Sequence, residues 1–212
     1  MKLYTYFRSS AAYRVRIALN LKKLSAEMIP VNLLKGEQTE ATYGAVNPQR
    51  LLPALEENGE VLIQSLAIME YLEETYPEPP ILPAAATERA RVRALALAVA
   101  CEIHPLNNLK VLRYLTGVIG ASEEQKNAWY KHWVAEGFSG VEAMLAGSRH
   151  TGRFCHGDSP SMADCCLVPQ VFNARRFNCD LGAYPAIVRV AEECEKHPAF
   201  IAAHPDKQKD AA

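Results

Sequence analysis

A cluster of prolines, Pro77, Pro79, Pro80 and Pro83, divides the chain into two stretches with different periodicities. Before it, short alternating runs and helical runs take turns. After it, every pattern is helical. Proline fixes φ and removes a backbone donor, so the cluster reads as a linker, Pro77 to Ala86. The expectation is two domains: an α/β domain over 1–80 and an all-helical domain over 87–212.

In the first stretch, Lys2–Tyr6 alternates as a strand does, and Ser10–Leu21 spaces Val15, Ala18 and Leu19 for one helix face. Glu27–Leu33 reads as a second strand, and Leu34–Asn47 as a short helix or irregular segment ended by Pro48. Leu52–Glu56 and Glu60–Gln64 flank Asn58–Gly59, a dipeptide suited to a tight hairpin turn. Ser65–Tyr76 is then a helix with Ser65 at its N-cap. The order is β-α-β-α-β-β-α, with a parallel first strand pair and a final hairpin. Beyond the linker, Thr87–Leu115 is one long or broken helix in which Pro105 forces a kink or a break, Glu123–Ala146 a second, and a third runs from a capping box at Ser161–Asp164 to Phe177, bent at Pro169. A fourth covers Pro185–Lys196, and the polar tail from His204 is expected to fray.

Apolar residues make up 49% of the chain, charged residues 22%, and the formal charge is −1. Those values suit a globular protein and exclude a global field that recruits nucleic acid or an acidic membrane surface. The N-terminus lacks a signal-peptide run, and Ala94–Ile103 is too short to span a bilayer. The cysteines form no C-x-x-C pair, and none of their spacings suits zinc, so no metal is expected. A reducing, cytoplasmic setting is expected.

Three places carry residues suited to chemistry. Arg8-Ser9-Ser10 falls where the first strand meets the first helix. Two hydroxyls there lie beside the orphan N–H groups and the positive end of the helix dipole, where anions bind and thiol pKa values fall. A plain helix cap with a surface Arg is the alternative. Leu52–Pro53 opens a strand and is a candidate cis bond that would leave the Leu52 N–H and C=O open to a peptide; an ordinary trans turn is the alternative. Gln64-Ser65 begins a helix, where a hydroxyl can donate to a carboxylate or simply cap.

Taken together on this frame, the segments RSSAAYRVRIAL (Arg8–Leu19), NPQRLLPAL (Asn47–Leu55) and IQSLAIMEYLEETYP (Ile63–Pro77) resemble the signatures of zeta-class glutathione transferases. IHPLNNLKVL, GDSPSMADCCLVPQ and NARRFNCDL extend the likeness over nearly the whole chain. The class contains maleylacetoacetate and maleylpyruvate isomerases. The resemblance implies a thioredoxin-like domain followed by a helical one, glutathione as cofactor, a small dicarboxylate substrate and a homodimer. It implies that Ser9 and Ser10, with Ala11 beside them, attend the glutathione sulfur. Gln38, Leu52, Gln64 and Ser65 are implied to hold the peptide backbone and γ-glutamyl end. His104, Asn108, Leu109 and Lys110 are implied to reach over the cofactor, and Arg176, helped by Arg8, to bind a substrate carboxylate. Where the class usually has Cys, this chain has Ala11, which puts side reactions of that Cys in doubt.

Reversible thiolate addition to a cis alkene would allow rotation about the former double bond. That chemistry asks for a thiolate at neutral pH, cations for two carboxylates and donors near the oxygen where charge develops. Arg8, Arg176, His104 and Lys110 are the available cations and donors. Arg175 points about 100° from Arg176 on the same helix and reads as solvated. Asp164 reads as a folding residue, and the Trp129–Trp133 pair as packing. A conjugating transferase and a non-catalytic binding protein on the same fold are the competing expectations.

Overall fold

The computed structural model describes residues 1–211. Two compact units are formed. The first comprises Met1–Leu82 with Glu195–Ala212, the second Pro83–Cys194.

The first unit is built on a four-stranded sheet of order β2-β1-β3-β4, with β1 Lys2–Thr5, β2 Glu27–Pro30, β3 Ala54–Glu57 and β4 Glu60–Ile63. β1 and β2 are parallel and joined by helix α1, Ser10–Leu21. β3 pairs antiparallel with β1 and with β4. The hairpin turn uses positive φ at Asn58 (52°) and Gly59 (84°), as the dipeptide predicts. Helix α2, Ala41–Val46, follows a 3-10 turn at Glu37–Thr39, and helix α3, Ser65–Thr75, follows β4.

All four strands are shorter than their sequence patterns suggest, and β2 and β3 depart most. β2 ends at Pro30, after which Val31 N–H still donates to Thr5 C=O but the Asn32 side chain accepts from Leu34 and Lys35 N–H and turns the chain away. β3 begins only after Pro53, which has no N–H for a ladder.

Arg16 holds this unit together at one place. It is 2% exposed in the middle of α1. Its guanidinium donates to Thr5 Oγ1 (3.0 Å), Tyr6 C=O (3.3 Å), Phe7 C=O (2.9 Å) and Ala203 C=O (3.1 Å). Burial lowers its pKa to about 10, which still leaves it charged at neutral pH. These bonds fasten both the β1–α1 loop and the C-terminal segment. Residues 195–211 group with the first unit instead of the helical one, and the tail expected to fray from His204 forms 3-10 turns at Pro205–Lys207 and Lys209–Ala211. Helix α9, Pro198–Ala203, lies on α1, Asn20 Nδ2 donates to Ala199 C=O, and Phe7 N–H donates to the Asp210 carboxylate (2.9 Å). Long-range pairing of this kind leaves no local sequence signal.

The second unit is helical: α4 Ala86–Leu97, a π-helical stretch Ala98–Ile103, α5 Leu109–Gly117, α6 Glu123–Ala146, α7 Met162–Arg176 and α8 Pro185–Glu195. The helical stretch expected over Thr87–Leu115 is broken at residues 104–108, which include Pro105. Capping boxes at Ser122/Gln125 and Ser161/Asp164 open α6 and α7. α7 runs unbroken through Pro169. Gly137 lets α6 approach the π-helical stretch, because a Cβ there would fall 2.2 Å from Ile103 Cγ1.

Replacing Arg16 by Met leaves several buried acceptors without a donor. Urea unfolding is expected to show a loss of about 3–5 kcal/mol.

Candidate functional site

The register of the sheet gathers the first-unit residues singled out by sequence. Tyr4 pairs with Ala54, and Ala54 with Ile63, so the end of β1, the start of β3 and the end of β4 share one edge of the sheet. Arg8, Ser9, Ser10 and Ala11 follow β1, Leu52 precedes β3, and Gln64 and Ser65 follow β4. β2 ends on the same side, Thr5 beside Pro30, and the loop after it carries Gln38.

Ser9 is the N-cap of α1. Its Oγ accepts from Ala12 N–H (3.2 Å), and its own C=O accepts from Tyr13 N–H. A hydroxyl has one proton to give as well as lone pairs to accept with. The cap uses the oxygen as acceptor and leaves the proton for an outside acceptor. Ser10 is buried at 6% exposure in the first turn, Ala11 is half-buried, and the Ala11 N–H belongs to the orphan donors of a helix start. Arg8 is exposed, with its guanidinium carbon 4.7 Å from the centre of the Phe7 ring.

The Leu52–Pro53 bond is cis. Leu52 is buried with Tyr6, Val31 and Tyr43. The carbonyl before it, Leu51 C=O, is held by the Tyr43 hydroxyl (2.6 Å) and Asn47 Nδ2 (2.7 Å). Burial pushes the Tyr43 pKa up to about 12, so this hydroxyl stays a donor. Among the described residues, the Leu52 N–H and C=O take no protein partner.

Ser65 is the first residue of α3 rather than its N-cap. Gln64 takes the cap position at φ 70°, ψ 118° and gives no side-chain cap. A positive φ is unusual for a non-glycine residue and occurs at functional sites. Gln64 is fixed by Gln49, Nε2 to Oε1 at 2.6 Å. The Ser65 Oγ accepts from Arg14 NH1 (3.2 Å), a side chain that is 2% exposed. Arg14 and Gln49 were not among the sequence candidates. Both lie inside the quoted motifs, but burial and pairing, not composition, give them a place here.

These groups suit a peptide with an anionic sulfur and a carboxylate. Gln38 Oε1 is shielded and has no hydrogen-bond partner among the described residues, an acceptor fit for a ligand N–H. The Leu52 backbone offers a strand-like donor and acceptor. The starts of α1 and α3 offer N–H groups and hydroxyls.

In the second unit, Asn108 caps α5 by accepting from Lys110 N–H (3.1 Å). His104 and Leu109 are partly buried and Lys110 is exposed. Arg176 ends α7 with its guanidinium 4.7 Å from the centre of the Phe177 ring, and that ring stacks on Tyr130 at 3.7 Å. Tyr130 C=O also accepts from Asn107 Nδ2 (3.3 Å), and Trp129 Nε1 donates to Leu106 C=O (2.9 Å). One stretch of α6 thus braces both the 104–110 segment and the Phe177 platform under Arg176. Trp129 does more than the packing assigned to it. Asp164 does the folding work expected, accepting from Cys155 N–H, Ser161 N–H and Ser161 Oγ–H.

No cysteine spacing suggested a metal, yet Glu88, His150 and His156 bring ligand-type atoms within 4.8 Å of one another. Arg91 donates to His156 Nδ1 (3.3 Å) while anchored on Cys155 C=O and Thr151 Oγ1, both at 2.8 Å. Neutral His156 then carries its proton on Nε2, which faces Glu88 Oε2 at 3.7 Å. That proton occupies the lone pair a metal would need.

Residues 3–80 match the family described as glutathione S-transferase, N-terminal domain. A probable maleylacetoacetate isomerase of Vibrio cholerae is 50% identical over 212 residues, covering 99% of this chain and 97% of the relative. The holo structure of a bacterial maleyl pyruvate isomerase, a zeta-class glutathione S-transferase, is 50% identical with a TM-score of 0.98, all of both chains being covered. A maleylacetoacetate isomerase structure from Methylobacterium extorquens AM1, with bound malonate and glutathione, is 40% identical with a TM-score of 0.97, again over all of both chains. Fold and site therefore define a glutathione transferase. The chain belongs to the zeta class of that family, the class of the maleylacetoacetate and maleylpyruvate isomerases.

His156 gives a pH dependence away from the site. Burial first, and Arg91 second, hold its folded pKa below the ordinary 6.5. The unfolded chain then takes up the proton first as pH falls. Stability contributed by neutral His156 is present above pH 6.5 and lost as pH drops toward the lower folded value. Melting curves at stepwise lower pH are expected to show a smaller decline below pH 6.5 for His156→Gln than for the unaltered chain.

Proposed function

We propose that the chain is a glutathione-dependent cis–trans isomerase that converts a maleyl diketo acid, maleylacetoacetate or maleylpyruvate, to its fumaryl isomer. The observation that carries the reading is the Ser9 hydroxyl, whose oxygen already accepts from Ala12 N–H and whose proton is thereby left for a sulfur anion at the start of α1. The names of the relatives support the substrate class, and malonate bound in one of them supports a site for a small dicarboxylate.

In this reading Ser9, Ser10 and Ala11 hold the thiol end of glutathione. Leu52 pairs with its backbone, Gln38 accepts from it, and Gln64 and Ser65 hold the γ-glutamyl end. His104, Asn108, Leu109 and Lys110 complete the binding set. When bound, glutathione supplies a sulfur nucleophile that leaves the reaction unchanged.

The protein's own work is electrostatic. A free thiol has a pKa of about 8.5, and each unit of lowering corresponds to about 1.4 kcal/mol. The Ser9 hydrogen bond and the α1 dipole both favour the anion, and together they are expected to lower the pKa by about one to two units. Arg8 and Arg176 present planar forks that match carboxylates. The Phe177–Tyr130 stack under Arg176 holds it ready, so less ordering is needed when the substrate arrives. His104 and Lys110 donate toward the carbonyl oxygen conjugated to the double bond, where negative charge builds up. Ala11 supplies no thiol of its own, which favours isomerisation with the cofactor recovered over reactions that need a protein cysteine at that place.

Cytoplasmic placement and a homodimer belong to the same proposal. Among the described residues no helix is long and apolar enough to cross a membrane, and the neighbours Cys165 and Cys166 form no disulfide. The dimer rests on the family likeness.

The test follows the absorbance of the enol form of each diketo acid with and without glutathione. Turnover is expected only with the thiol, and Arg176→Ala is expected to lower kcat/KM by roughly 10- to 100-fold, the equivalent of one charged hydrogen bond. Equal turnover without glutathione would contradict the reading.

A further inference from the structure

Two arginines are buried in α1, and they face different tasks. Arg16 binds the β1–α1 loop and the C-terminal segment, and its burial is explained by the acceptors it fills there. Arg14 is equally buried, at 2% exposure, and reaches the other way, to a residue of the candidate site. A buried guanidinium carries a desolvation penalty that an apolar side chain of similar volume would avoid, and its hydrogen bond to Ser65 is part of what offsets it.

We propose that Arg14 is a positioning residue for the γ-glutamyl carboxylate of glutathione, acting through Ser65. The Arg14 NH1 group donates to Ser65 Oγ from the protein interior. That bond has two consequences. It fills a lone pair of the hydroxyl from behind, so the hydroxyl proton is aimed away from the core, toward whatever sits at the start of α3. It also places a full positive charge behind the N-terminus of α3, where it adds to the dipole that favours an anion. The turn at Gln64, φ 70° and ψ 118°, delivers Ser65 to the first helical position with its side chain committed to Arg14 and not to capping. An anion at this helix start thus meets a pre-oriented hydroxyl backed by a charge that water screens little.

The inference rests on the glutathione reading and refines it. It is tested with two ligands: glutathione, and the analogue in which γ-aminobutyrate replaces the γ-glutamyl residue, so that its α-carboxylate and α-amino group are missing. Their dissociation constants are measured by calorimetry on the full chain and on Arg14→Met. Arg14→Met is expected to weaken glutathione by about 10- to 100-fold and the analogue by no more than about twofold. In turnover, the loss is expected in KM for glutathione and not in kcat at saturation. Equal loss for both ligands, or no loss for either, would overturn the inference.

Arg14→Lys keeps the charge and guards against misfolding of the Met variant. It is expected to retain part of the preference for glutathione over the analogue, and in a Ser65→Ala background to change that preference no further. A full additional change in that background would also overturn it. Failure of the unaltered chain to bind glutathione would sink the functional reading itself, a result distinct from these.

Discussion

A buried guanidinium sets the geometry on which the candidate site depends. Arg16 sits within α1 and gathers carbonyl groups from Tyr6 and Phe7, the Thr5 hydroxyl and the far carbonyl of Ala203. The loop that it holds carries Arg8 and leads into Ser9. The Ser9 hydroxyl can meet a sulfur anion only if the loop before it is fixed. A charge inside an apolar helix is destabilising unless its donors are filled, and here the filling is what orders the loop. Folding and chemistry share the same hydrogen bonds at this point.

The sheet contributes the rest by register. Antiparallel pairing of β1 with β3 and of β3 with β4 brings three chain segments to one sheet end. Residues as far apart in sequence as Ser9, Leu52 and Ser65 gather at that end for this reason alone. In the second unit, Tyr130 and Trp129 of α6 brace the segment around His104 and the platform beneath Arg176. Each unit thus prepares polar groups on a stiff frame, which is what differential stabilisation of a charged transition state requires.

Much of this was legible before the fold was known, and the reasons are local. Asn58–Gly59 announced a hairpin because few other dipeptides tolerate positive φ at both positions. Ser122 and Ser161 marked helix starts because their partners lie three residues away. What could not be read was long-range. The polar tail from His204 looked frayed because the donor that its Asp210 carboxylate meets, Phe7 N–H, lies 203 residues earlier, and α9 before it is likewise held from α1 by Arg16 and Asn20. Ser65 looked like a cap because nothing near it signals that Arg14 occupies its oxygen. The cluster of Glu88, His150 and His156 was invisible for the same reason. The site residues themselves stood out through motif likeness, and the physical roles given to them follow from bonds that only the fold supplies.

The central claim is that Ser9 and the start of α1 stabilise a sulfur anion. Its most direct measurement is the pKa of the thiol of glutathione bound to the protein, followed through the ultraviolet absorbance of the thiolate, in the unaltered chain and in Ser9→Ala. The expected result is a value at least one unit below the free-thiol value of about 8.5 in the unaltered chain, rising by about one unit in the variant. A bound thiol that titrates like the free peptide in the unaltered chain, or identically in both proteins, would contradict it.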